Sequence, residues 1–269
     1  MERSLSYTNI ISERPQNTLN DNINWPTKGE IKFENYSVKY RPDTEIVLKN
    51  LTLNINSGEH VGVVGRTGSG KSTIALCLFR ILEAYEGKIY IDNVDISTLG
   101  LKKLRSSLTI IPQDATIMDG TLRYNIDPIG QFNDQNIVNV MSKIGFEYII
   151  HNHPDGLSQN ISENGSNLSI GEKQLICITR AILRKTKIIV MDEATASIDF
   201  KTEEIIQRAI NEILKESTLI TIAHRIKTVI NSDKILVLDN GEIIEYDTPD
   251  NLLKNKDSFF YDFYNKSLL

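Results

Sequence analysis

Eight consecutive residues constrain this chain more than any other stretch: Gly65-Arg66-Thr67-Gly68-Ser69-Gly70-Lys71-Ser72. Their spacing is G-x-x-x-x-G-K-[ST], and Thr73 follows. Glycines let successive main-chain N–H groups turn inward around an anion. A helix starting at Lys71 would add its unpaired N–H groups and its dipole to the same anion. Lys71 can reach the outer phosphates of a polyphosphate, and the Ser72 hydroxyl can ligate Mg²⁺. The pattern arises by chance in about one chain in a hundred of this length. Here it also lies between an apolar run, His60-Val61-Gly62-Val63-Val64, and a helical stretch from Lys71 to Leu82. Strand, glycine-rich turn and helix open an α/β unit, the context in which such a loop holds nucleotide phosphates.

Two more apolar runs read as strands buried on both faces: Lys187 to Met191 and Thr218 to Ala223. Each precedes a helical segment, Thr202 to Leu214 and Arg225 to Ile230. Asp239-Asn240-Gly241 joins two further strands as a hairpin, because Asn-Gly suits a two-residue turn. Alternation at Ile31, Phe33 and Val38, and again at Leu51, Leu53 and Ile55, predicts a small antiparallel sheet near the N-terminal end. From Gln113 to Arg184 the pattern is mainly helical, with no clear strand. The expected fold is α/β: a mostly parallel core sheet, a helical insertion at about 114–180, and a small antiparallel β subdomain. Residues 1–27 read as a leader or linker, 28–255 as the domain, and 256–269 as a C-terminal tail.

Composition narrows the function classes. Against 30 Lys and Arg stand 35 Asp and Glu, a net charge of −5, which is the wrong sign for a dedicated nucleic-acid binder. No stretch approaches the roughly 18 uninterrupted apolar residues of a membrane-spanning helix. The two cysteines, Cys77 and Cys177, lie in apolar helical segments and read as small core residues. His151 and His153 form His-x-His without a neighbouring Cys or His cluster, so they read as loop residues.

Asp192 and Glu193 end the second buried strand. Ligands gather at the carboxyl ends of parallel strands. Asp192 would therefore arrive near the phosphate loop to hold Mg²⁺, and Glu193 could orient an attacking water and take its proton.

The residues between these two sites carry a resemblance. Leu168-Ser169-Ile170-Gly171-Glu172-Lys173-Gln174 resembles the signature motif of the ATP-binding-cassette (ABC) ATPases, with Leu168 to Glu172 as its core, in that family's place between loop and acidic strand. Gln113 resembles the family's Q-loop glutamine, Asp199 its D-loop aspartate, His224 its switch histidine and Tyr40 its adenine-stacking aromatic. Trp25-Pro26, Asn35 to Pro42 and Asn125 to Pro128 resemble the second nucleotide-binding domain of subfamily C, the multidrug-resistance-associated-protein type. Glu172 departs from the family, which carries Gln there; the acidic side chain is expected to weaken help given to a partner's ATP.

The resemblance implies a P-loop NTPase (RecA-like) core with ATP and Mg²⁺ as ligands. ATP would be held by Tyr40 and by Gly65 to Thr73, and Mg²⁺ by Ser72, Gln113 and Asp192. Glu193, His224 and Gln113 would serve hydrolysis. It further implies a second such domain facing this one head to tail, membrane-spanning domains of an exporter as partners, and a place on the cytoplasmic face of a membrane. A non-hydrolysing nucleotide sensor and a soluble ABC ATPase are the alternatives.

Overall fold

The computed structural model describes residues 13–18, 21, 24–192, 200–223 and 225–267. The N-terminal part pairs β1 (Ile31–Lys39) with β2 (Ile46–Ile55) antiparallel, Ile31 opposite Ile55 and Phe33 opposite Leu53. After β3 (His60–Gly65) and α1 (Lys71–Leu78), β4 (Glu86–Ile91) and β5 (Val94–Asp95) complete a four-stranded sheet in the order β2-β1-β4-β5. Helix α2 (Leu101–Ser107) leads into β6 (Leu108–Ile111).

A mainly helical region follows: β7 (Gly120–Thr121), α3 (Leu122–Ile126), α4 (Asp134–Lys143), α5 (Tyr148–His151), β8 (Asn160–Ile161) and α6 (Ile170–Arg184). The chain then returns to the core through β9 (Ile188–Asp192), α7 (Phe200–Ile213) and β10 (Thr218–Ile222). It closes with β11 (Lys234–Asp239), β12 (Glu242–Asp247), α8 (Pro249–Lys254) and α9 (Phe259–Lys266).

The core sheet runs β12-β11-β3-β10-β9-β6. Every pairing in it is parallel except the β11–β12 hairpin at the edge. Alternation along the strands separates two cores. Ile188, Val190, Ile220 and Ile222 face the cluster built around α1 and the antiparallel sheet. Ile189, Met191 and Leu219 face the other cluster, with Leu175 and Ile178 of α6 and Ile206 of α7. Both faces are covered, which is why these strands read as unbroken apolar runs.

Four local expectations differ from the fold. The first helix stops at Leu78 rather than Leu82, since Arg80 takes φ +48° and its buried guanidinium donates to Ile96 O at 2.9 Å and Leu99 O at 2.8 Å. Arg225 to Ile230 holds only a 3₁₀ turn, Ile226–Thr228. The region after Gln113 contains a two-stranded ladder, Gly120 opposite Ile161, too short to show a period. The leader and tail expected at 1–27 and 256–269 are packed in part into the domain: Trp25 is 5% exposed within the main cluster, and Phe260 of α9 is fully buried.

Trp25 also donates its indole N–H to Ile91 O at 2.8 Å. Just beyond it, the Asp92 carboxylate accepts N–H bonds from Thr27, Lys28, Gly29 and Glu30. Burial opposes ionisation of Asp92, but these four donors together hold its pKa below the usual carboxylate value. Trp25→Ala removes the indole and strands the Ile91 carbonyl. The expected loss is about 3–5 kcal/mol, a large part of a typical domain's stability. Urea unfolding followed by far-UV circular dichroism would measure it, since Trp25 is the sole tryptophan; a midpoint unchanged from wild type would make the contact incidental.

The cysteines are core residues. Burial pushes the Cys77 thiol up to about 12, against a smaller lowering by the Tyr36 hydrogen bond, and burial also raises Cys177. Neither is poised for thiolate chemistry.

Candidate functional site

The glycine-rich loop leaves β3 at Gly65 and enters α1 at Lys71. A Cβ on Gly65 would lie 2.2 Å from Leu238 O of the neighbouring β11, so a side chain there is sterically barred. Gly68 has φ +83° and, among the described residues, nothing within 4 Å of its missing Cβ, leaving a bare, approachable main chain at the loop's tip. Gly70, at φ +100°, precedes α1 and provides no side-chain cap, so the first N–H groups of the helix are left to another acceptor.

Ser69 is 3% exposed and its Oγ has no hydrogen-bond partner among the described residues. A buried hydroxyl without a partner costs free energy unless a ligand satisfies it. The Lys71 ammonium is held against the loop, donating to Gly65 O at 2.8 Å and Arg66 O at 3.0 Å. Ser72 is exposed at the helix start and Thr73 is buried. Arg66 and Thr67 are exposed beside Gly68. A bare glycine tip, an uncapped helix start, an orphaned hydroxyl and an ammonium fit a polyphosphate and its counter-ion.

The parallel register puts Asp192 at the same level. Ile222 of β10 is opposite both Val63 of β3 and Asp192 of β9. Asp192 thus lies two strand spacings from β3, about 10 Å, on the carboxyl edge that carries the loop. Ile111 of β6 is opposite Met191, so Gln113, two residues further on, emerges at that edge beside Asp192. Gln113 is exposed and Asp192 half-buried. Tyr40, just after β1, is 50% exposed with its hydroxyl 3.1 Å from Thr73 Oγ1, so a half-open ring stands over the first turn of α1. Glu193, Asp199 and His224 lie outside the described residues.

Leu168 to Glu172 form the start of α6. Leu168 is partly buried, Ser169 and Ile170 are exposed, and Gly171 is buried. A Cβ on Gly171 would come within 2.8 Å of Thr202 Cγ2 of α7, so glycine permits this helix contact. Ser169 is the N-cap, its Oγ accepting the Glu172 N–H at 3.2 Å. Glu172 returns its carboxylate to the Ser169 N–H and hydroxyl, each at 2.8 Å. The acidic side chain that departs from the family pattern is half of a capping box.

Gln174 closes the stretch that resembles the signature motif, and the resemblance gives it no role of its own. It lies on the buried stripe Gly171, Gln174, Leu175, Ile178 of α6 and is 2% exposed. Its Nε2 donates to Gln113 O at 2.7 Å and Pro112 O at 3.1 Å. A glutamine standing at an apolar position of the helical period is the signal that could have found it.

Strand, glycine loop and helix at the carboxyl edge of a mainly parallel sheet, with an acidic strand end alongside, define a P-loop nucleotide-binding domain. Residues 48–196 match the ABC transporter family. The chain is 47% identical to ATP-binding cassette sub-family C member 2 of Homo sapiens, over 97% of this chain and 17% of that protein. It is 45% identical to metal resistance protein YCF1 of Saccharomyces cerevisiae, again over 97% of this chain and 17% of the relative. Among solved structures, a bacterial Atm1-family ABC exporter with ATP bound superposes at TM-score 0.90 and 30% identity, covering 100% of this chain and 46% of the exporter chain. The chain belongs to the ABC transporter family, as a nucleotide-binding domain of the sub-family C type. It spans 17% of the length of these curated relatives. No helix among the described residues is long and apolar enough to cross a membrane.

Proposed function

We propose that this domain binds ATP with Mg²⁺ and hydrolyses it to ADP and phosphate, and that the cycle powers export through membrane-spanning domains. The observation that carries this reading is the shared sheet edge of the Gly65–Ser72 loop and Asp192. Main-chain N–H groups of Gly65 to Thr73, with Lys71, would hold the phosphates, and Tyr40 would stack on adenine, a contact worth about 1–3 kcal/mol. Ser72, Gln113 and Asp192 would hold Mg²⁺, which when bound neutralises charge on the outer phosphates. Glu193 would orient the attacking water and accept its proton, while His224 would hydrogen-bond the terminal phosphate.

The second reading element is a partner. Ser169 and Gly171, at the start of the 15-residue helix α6, would cover ATP held on the loop of a second nucleotide-binding domain facing this one head to tail. The pair would sit on the cytoplasmic face of a membrane, joined to the membrane-spanning domains. Glu172 remains with Ser169 as its cap and adds negative charge near the facing phosphate.

Ser169→Arg tests the arrangement. ATP affinity at the chain's own loop is expected to stay within about twofold, while ATP-dependent association and Mg²⁺-dependent phosphate release fall at least about tenfold, the scale of a lost charge-assisted contact. Fluorescent-nucleotide titration, sedimentation and phosphate release would measure the three. Loss confined to the chain's own nucleotide affinity would contradict the head-to-tail pairing.

A further inference from the structure

Helix α6 holds the loop after β6 by two side chains. Gln174 spends both amide hydrogens on consecutive carbonyls, Pro112 and Gln113, where the chain leaves the sheet. Arg180, further along the same helix, donates from Nη1 to Thr116 O at 3.0 Å and from Nε to Asn125 O at 2.5 Å. Asn125, fully buried, in turn closes on Met118 through its N–H and its carbonyl, both at 2.9 Å. The stretch from Pro112 to Met118 is thus fixed near both ends.

Gln174 is unlike the other two in one respect. Its Oε1 is buried with no partner among the described residues. An unsatisfied buried amide oxygen is a stability cost. An apolar side chain of similar size would remove that cost and lose only the two donors. The donors are therefore what distinguishes glutamine at this position, and their target is the main chain that carries Gln113.

We propose that Gln174 is a positioning residue for Gln113: by clamping the Pro112 and Gln113 carbonyls it fixes where Gln113 stands beside Asp192, and so sets the Mg²⁺-dependent part of nucleotide affinity. The proposal rests on the reading above, in which Gln113 attends Mg²⁺ beside bound ATP. Gln174 itself touches neither.

The test compares ATP affinity of the full chain in excess Mg²⁺ and in EDTA, by fluorescent-nucleotide titration. Gln174→Leu is expected to bind within about twofold of wild type in EDTA and to lose about fivefold of the Mg²⁺ enhancement, the ratio set by one ordinary hydrogen bond. Gln113→Ala should lose the same enhancement. The double variant should be no worse than Gln113→Ala alone, because two residues acting through one contact are not additive. Gln174→Met, closer in shape, repeats the measurement if the leucine variant loses the wild-type circular dichroism spectrum.

Full Mg²⁺ enhancement in either folded variant overturns the proposal, and so does an equal loss in EDTA or simple additivity with Gln113→Ala. Failure of both variants to fold assigns Gln174 to the fold alone and also overturns it. A wild-type chain that binds no ATP is a different result and defeats the nucleotide reading itself; one that binds ATP equally with and without Mg²⁺ defeats the Mg²⁺ role of Gln113 in that reading.

Discussion

Lys71→Ala is expected to weaken ATP binding by about a hundredfold, with the fold intact. Hydrogen bonds to charged groups contribute about 1.5–3 kcal/mol each, and a hundredfold is about 2.7 kcal/mol. Lys71 is 5% exposed, with its ammonium on the Gly65 and Arg66 carbonyls, so the charge is already held at the loop before any phosphate arrives. That placement lowers the cost of ordering a long side chain on binding. The substitution should not unfold the domain, since Ala is a good residue for the first turn of a helix. Residual binding is also expected, because the bare main chain at Gly68, the uncapped start of α1 and the Ser69 hydroxyl all remain. Titration with a fluorescent ATP analogue, beside a circular dichroism spectrum, measures both parts. An affinity within about threefold of wild type would remove the loop from the nucleotide site.

The loop was legible because its chemistry is local: eight consecutive residues carry the spacing, and the flanking strand and helix confirm it. The buried strands β9 and β10 were legible for a related reason, since covering on both faces leaves an unbroken apolar run. Long-range features were not. Trp25 stands alone in a polar stretch, and its hydrogen-bond partner Ile91 is 66 residues away. The ladder of β7 and β8 is two residues long on each side, below the length at which any period exists. Gln174 gives a weak local signal, and its two acceptors are 61 and 62 positions earlier.

Glu172 shows a different failure. Ser169-x-x-Glu172 is a helix-start pattern readable from sequence. The family pattern, with Gln at this place, points to the charge of Glu172 rather than to its cap. The geometry gives the carboxylate a local task on Ser169, which is independent of any effect on a facing phosphate.

Glu193→Gln is expected to slow phosphate release by at least about a hundredfold while leaving ATP affinity within about threefold, and to leave an ATP-dependent dimer that persists. Removing a general base typically costs 10²–10⁴-fold in rate. The amide keeps the size of the carboxylate and can still accept a hydrogen bond from water, but it cannot take the proton at neutral pH. Glu193 follows Asp192 directly, and Asp192 ends β9 on the edge that carries the phosphate loop. Binding and turnover should therefore separate: Lys71→Ala lowers both, and Glu193→Gln lowers turnover alone. A nucleotide sensor would behave otherwise, with no phosphate release in wild type for the substitution to remove. Normal release in Glu193→Gln would take this residue out of the mechanism.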